Sequence, residues 1–168
     1  MNTRNLGKQF EQKVRDNFKA SFPQGYILRL ADQQSGYLNT SSNPADFLGY
    51  NYPYLFLLEA KSIQTPSFPF SNLRQYEKLI QAAYLPGVRA GVVMWFVDLD
   101  LVWYVPIVTI KKMKDNQLKS LNPKKLDRDT YPVWPLPSVK LRTFMNSDYR
   151  LLMSIPSDQE IYPEELKR

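Results

Sequence analysis

The chain has 168 residues, 43% of them hydrophobic and 14% aromatic, enough to bury a core as one domain without disulfides or a structural metal. It contains no cysteine and no histidine, which excludes thiolate zinc sites, cysteine nucleophiles, serine–histidine triads, HExxH hydrolases and histidine-based nuclease motifs. The net charge of +6 and a pI near 9.4 point to an anionic partner, nucleic acid ahead of membrane, and no segment reads as a signal peptide or a membrane span.

From Thr3 to Phe18, Leu6, Phe10, Val14 and Phe18 recur every four residues and predict an amphipathic helix laid over a core. Glu11 falls about 20° from Phe18 on that helix, at the edge of the stripe, where a carboxylate is able to face either a site or water. Tyr26 to Leu30 predicts a short strand, and Ala31 to Pro44 a polar loop. Ala45 to Tyr50 and Tyr54 to Lys61 predict an antiparallel hairpin turning at Asn51, Tyr52 and Pro53. Leu55-Phe56-Leu57-Leu58 is apolar on both faces, so its strand is expected inside the sheet.

After a break at Pro66 to Pro69, Ser71 is expected to cap a helix reaching Tyr84, with Leu73, Tyr76, Ile80, Ala83 and Tyr84 inward. Val88 to Asp98 and Leu101 to Val105 predict two further strands turning at Asp98 to Asp100. Past Ile107 comes a lysine-rich stretch with a short helix at its start. A prolyl region follows, then a helical segment around Ser147 to Met153 and a surface arm from Pro156 to Arg168. The fold class expected is α/β, a mixed central β-sheet flanked by helices.

Glu59 and Lys61 alternate onto one face of their strand, roughly 6.5 to 7 Å apart at Cα. A charged pair closing an apolar strand is costly to bury unless partnered, and a divalent metal with a reacting phosphate supplies such partners. Asp46, on the preceding strand, is expected at the same end of the sheet. Paired carboxylates suit Mg²⁺ or Mn²⁺, which polarise a phosphate and stabilise transition-state charge, while Lys61 positions water or neutralises that charge.

Pro44-Ala45-Asp46, twelve residues, then Glu59-Ala60-Lys61 match the PD-(D/E)xK nuclease pattern with one residue between Pro and Asp, so the fold is expected to be restriction-endonuclease-like. The surrounding Asp46-Phe47-Leu48-Gly49-Tyr50, Leu58-Glu59-Ala60-Lys61-Ser62 and Ser67-Phe68-Pro69-Phe70-Ser71-Asn72-Leu73 resemble RecU-type Holliday-junction resolvases, over about Gly7 to Tyr84. The resemblance implies that Asp46 and Glu59 bind Mg²⁺, that Lys61 serves the nucleophilic water and that Gln75 lies near the site. It also implies a homodimer acting on four-way DNA junctions. The family carries a long stalk before the aspartate strand, whereas Ala31 to Pro44 is short, and a family threonine beside the aspartate has Thr40, Ser41 or Ser42 as its counterpart here. The polar N-terminus from Met1 to Lys8 and the lack of a membrane span suggest a cytoplasmic protein, bacterial or phage-encoded, with small size and the short loop pointing to phage.

Glu11 joins the catalytic candidates, and Arg74, Lys111, Lys112 and Lys114 are candidates for contacting DNA phosphates. Tyr26, Tyr37, Tyr50, Tyr52, Tyr54 and Tyr104 offer rings for stacking on bases, but aromatic residues in strands usually belong to the core, as is expected of Trp95 and Trp103. Two rival functions use the same residues or the same fold: a restriction, repair or flap nuclease, and a DNA-binding module without catalysis.

Overall fold

The computed structural model describes residues 3–31 and 43–164, so Tyr37, Thr40, Ser41, Ser42 and most of the polar loop lie outside the described residues. The first helix, α1 (Thr3–Ser21), buries Leu6, Phe10, Val14 and Phe18 as its four-residue period requires. Strand β1 (Tyr26–Arg29) pairs antiparallel with β2 (Phe47–Asn51), and β2 pairs antiparallel with β3 (Tyr54–Ile63) in the expected hairpin. Gly49 is needed where α1 crosses the hairpin, because a Cβ there would stand 2.8 Å from the Phe18 ring.

Strand β3 is central. Its other edge pairs in parallel with β5 (Val88–Phe96), which pairs antiparallel with β6 (Leu101–Pro106), followed by the short β8 (Trp134–Pro135). The six-stranded order β1-β2-β3-β5-β6-β8 is mixed and has helices on both faces, the fold class expected. Phe56, Leu58 and Ala60 face α1, together with Val93, Trp95 and Tyr104. Leu57 and Ile63 face the opposite way, toward α2 (Tyr76–Ala83) and α3 (Ile107–Asp115), together with Val92, Met94 and Leu79.

Three expectations are corrected. Ser71 caps no α-helix: Phe68–Pro69 forms a short strand, β4, paired with β7 (Ser120–Leu121), residues Phe70–Asn72 make one 3₁₀ turn, and α2 begins only at Tyr76 with Gln75 at its N-cap. The pairing of β4 holds the chain extended up to the point where the helix was expected, and the Phe70 N–H, opening the 3₁₀ turn, donates to the Lys119 carbonyl at 3.0 Å. The segment after Pro156 is no loose arm either. Ser157 and Glu160 form a capping box for a short helix, α4 (Asp158–Ile161), whose Asp158 is buried and accepts from the Ala90 N–H at 3.1 Å. The segment expected to be helical around Ser147 to Met153 is a 3₁₀ turn (Arg150–Met153) preceded by a two-stranded ribbon of β9 (Ser138–Lys140) and β10 (Met145–Ser147).

Candidate active site

The site lies where β2 stops and β3 continues. The ladder between them ends at Phe47 opposite Leu58, so one step further sets Asp46 opposite Glu59. Leu48 faces Leu57 across the same ladder, and alternation puts Asp46 and Glu59 on that face, with Lys61 following. Beyond Leu58 the strand has lost β2 as a partner, and the Asp46 side chain substitutes for it: its Oδ2 accepts from the Ala60 N–H at 2.8 Å.

Glu59 is 1% exposed, and its Oε1 accepts from Lys61 Nζ at 2.7 Å; the lysine side chain remains 28% exposed. Its Oε2 is buried with no hydrogen-bond partner. Burial first, then the neighbouring Asp46 charge, pushes the Glu59 carboxyl up to about 7 against the pull of Lys61. The Asp46 carboxyl is also raised, by burial above all and by the charge of Glu11, while the Ala60 N–H, Lys61 and Arg29 oppose the shift. Two carboxyls held side by side against the cost of burial, one with an oxygen left without a partner, are groups of the kind that a cation would satisfy.

The donor set fits a hard divalent ion. Mg²⁺ binds through one or two carboxylates and keeps several waters, and two carboxylates are what the end of this hairpin offers. Among the described residues no group of three or more acidic side chains gathers into a metal cage.

Glu11 is placed elsewhere than in this pair. It sits on α1, across the sheet, where its Oε2 accepts from Arg29 Nη2 at 2.8 Å and Nε at 3.0 Å. Arg29 is opposite Phe47 on β1, beside Asp46, and both Glu11 and Arg29 act on Asp46 through their charges. The reading from sequence passed over Arg29, although an arginine closing a strand next to the aspartate strand is a visible signal. Gln75 stands at the N-cap of α2 with a buried Oε1 that has no hydrogen-bond partner.

The basic candidates are divided. Lys111 donates to Asp115 at 2.8 Å, and Lys114 Nζ lies 3.5 Å from the centre of the Tyr76 ring. Lys112 and Lys114 occupy the last turn of α3, where they also complement the helix dipole. Arg74 is exposed just ahead of Gln75. Through the β4–β7 pairing, Lys114 and Lys119 flank an open groove of about 620 Å³ with Phe70 and Ser71.

No protein-family profile matches the chain, and no curated protein matches it. Among solved structures it is similar to Hjc, a Holliday junction resolvase from Archaeoglobus fulgidus. That similarity has a TM-score of 0.49 and 18% identity, over 70% of this chain and 89% of that one. Among the described residues no helix is long and apolar enough to cross a membrane.

Proposed function

We propose that this chain is a single-domain, metal-dependent endodeoxyribonuclease of the PD-(D/E)xK type that hydrolyses phosphodiesters in branched DNA, with four-way junctions as substrate and a homodimer as the working form. The observation that carries the reading is the juxtaposition of half-buried Asp46 and buried Glu59 at the open end of β3, both carboxyls raised chiefly by burial, with Lys61 beside them. Asp46 and Glu59 would hold the Mg²⁺ or Mn²⁺. When bound, that ion supplies Lewis-acid stabilisation of the phosphate charge.

The protein's own groups do the rest. The Ala60 N–H fixes the Asp46 carboxylate, so one oxygen is spent on orientation and the other is left for a ligand. Lys61, partly exposed while anchored on Glu59, reaches toward solvent, where it can orient the attacking water and offset charge on the phosphate. The junction substrate and the dimer rest on the resemblance of the motif segments to RecU-type resolvases. Incubating the protein with matched four-way junction, flap and linear duplex in Mg²⁺ or EDTA tests both parts. Cleavage of the junction in Mg²⁺ alone is expected. Preferential cutting of flap or duplex would remove the junction assignment, and cutting in EDTA would remove the metal.

A further inference from the structure

The rings of Tyr54 and Tyr104 lie within the fold, Tyr104 fully buried, as aromatic residues in strands are expected to. Tyr26, Tyr50 and Tyr52 do not: they are 59%, 44% and 80% exposed. Tyr26 stands directly opposite Tyr50, and Leu28, itself 45% exposed, stands opposite Leu48. Cross-strand partners share a face, so Tyr26, Leu28, Leu48 and Tyr50 make one apolar surface, and it is the face that carries Asp46 and Glu59. Among the described residues, helices α2 and α3 pack over β5 and β6 on this side, while Tyr26, Leu28 and Tyr50 stay exposed. An open aromatic surface running up to a reactive centre marks a binding surface rather than a packing residue left outside.

Along the β1 edge, a groove of about 370 Å³ is lined by Arg15 and Lys19 of α1 together with Gly25, Tyr26 and Leu28. Rings that offer π-faces, bordered by cations that follow an edge, are the two components of a single-strand binding track. We propose that the β1–β2 face is a stacking shelf for unpaired nucleotides of the strand being cut, with Tyr26 and Tyr50 under the bases and Arg15 and Lys19 against the phosphates. This deepens the nuclease reading and rests on it. Tyr50 lies four residues from Asp46 along β2, about 13 Å. At roughly 3.4 Å per nucleotide of a stacked strand, the shelf meets bases up to about four steps from the scissile phosphate.

A second copy of the chain is the competing occupant, and the charges argue against it. A two-fold contact across this edge would gather the Arg15 and Lys19 of both copies into one interface, doubling its positive charge, whereas a nucleic-acid strand brings anions.

The test uses the full chain in EDTA, with a short oligothymidylate containing one 2-aminopurine and a blunt duplex of equal length as probes. Stacking on the shelf quenches the 2-aminopurine. Tyr26→Thr with Tyr50→Thr, which keeps strand-forming residues at both positions, should lower the ratio of unpaired to paired affinity about tenfold or more and abolish the quenching. Tyr26→Phe with Tyr50→Phe should preserve both. An unquenched wild-type complex, or a Thr pair that keeps the wild-type ratio, overturns the shelf. So does a Thr pair that turns a dimer into a monomer in light scattering, which would make the face a contact between copies. Cleavage in Mg²⁺, assayed in parallel, separates the two levels: wild-type protein that cuts while the Thr pair changes nothing removes the shelf alone, and wild-type protein that neither binds nor cuts DNA removes the nuclease reading with it.

Discussion

Glu59 holds its proton to about pH 7 in the fold, against an ordinary value of 4.5, because burial and the Asp46 charge both oppose its ionisation. The folded chain therefore binds more protons than the unfolded chain between those values, and the metal-free protein loses stability as pH rises through that window. Glu59→Gln removes the penalty, so in EDTA at pH 8 it should melt higher than wild type by an amount equivalent to about 1–3 kcal/mol, with the difference gone near pH 4. Added Mg²⁺ should raise the melting temperature of wild type and leave that of the variant unmoved. A variant no more stable than wild type at pH 8 would mean that Glu59 is already well compensated. The role proposed for Lys61 is at a different step. Anchored on Glu59 at 2.7 Å, it is proposed to serve the reaction rather than the DNA track, so Lys61→Ala should lower the single-turnover rate by roughly 10²-fold or more while changing affinity little. Recovery of the full rate at saturating protein would make it a binding residue.

At the scale of elements, legibility followed local pattern. The stripe on α1 is periodic and the run of β3 is continuously apolar, and each was readable because its own residues determine its burial. Ser71 misled because Phe68–Pro69 is captured by Ser120–Leu121, some fifty positions away in the chain, a pairing that no local pattern announces. The arm after Pro156 was misread for the opposite reason: Ser157 and Glu160 spell a capping box, and that local signal was passed over. The pair Asp46 and Glu59 was legible from spacing on a hairpin, whereas the Glu11–Arg29 ion pair depends on how α1 crosses the sheet. The same β4–β7 pairing brings Lys114 and Lys119 beside the Phe70 segment, with Lys112 on the same last turn of α3 as Lys114. If they hold DNA arms, Lys112→Gln with Lys114→Gln should flatten the slope of log affinity against log salt by roughly 1 to 2. An unchanged slope would leave these lysines with their roles inside the fold, on the Tyr76 ring and at the end of α3.

Among the described residues the molecule is a sheet with two apolar sides, one packed against α1 and the other against α2 and α3 over β5 and β6, and Asp46 and Glu59 sit on the latter side. Among the described residues each chain offers one such pair, while resolving a four-way junction needs two nicks, so a two-fold dimer is the simplest arrangement that would supply both. A mixed dimer of one wild-type and one Glu59→Gln subunit should nick one strand and leave the junction unresolved; two cuts within one binding event would contradict the dimeric mechanism. The most direct test of the central claim is junction cleavage in Mg²⁺ by purified Asp46→Asn and Glu59→Gln, each first shown to bind the junction. The account predicts that both bind near wild-type affinity and neither cuts detectably, because the basic surface is intact and the cation has lost a ligand; cutting by either at close to the wild-type rate would show that the reaction is performed elsewhere on the chain.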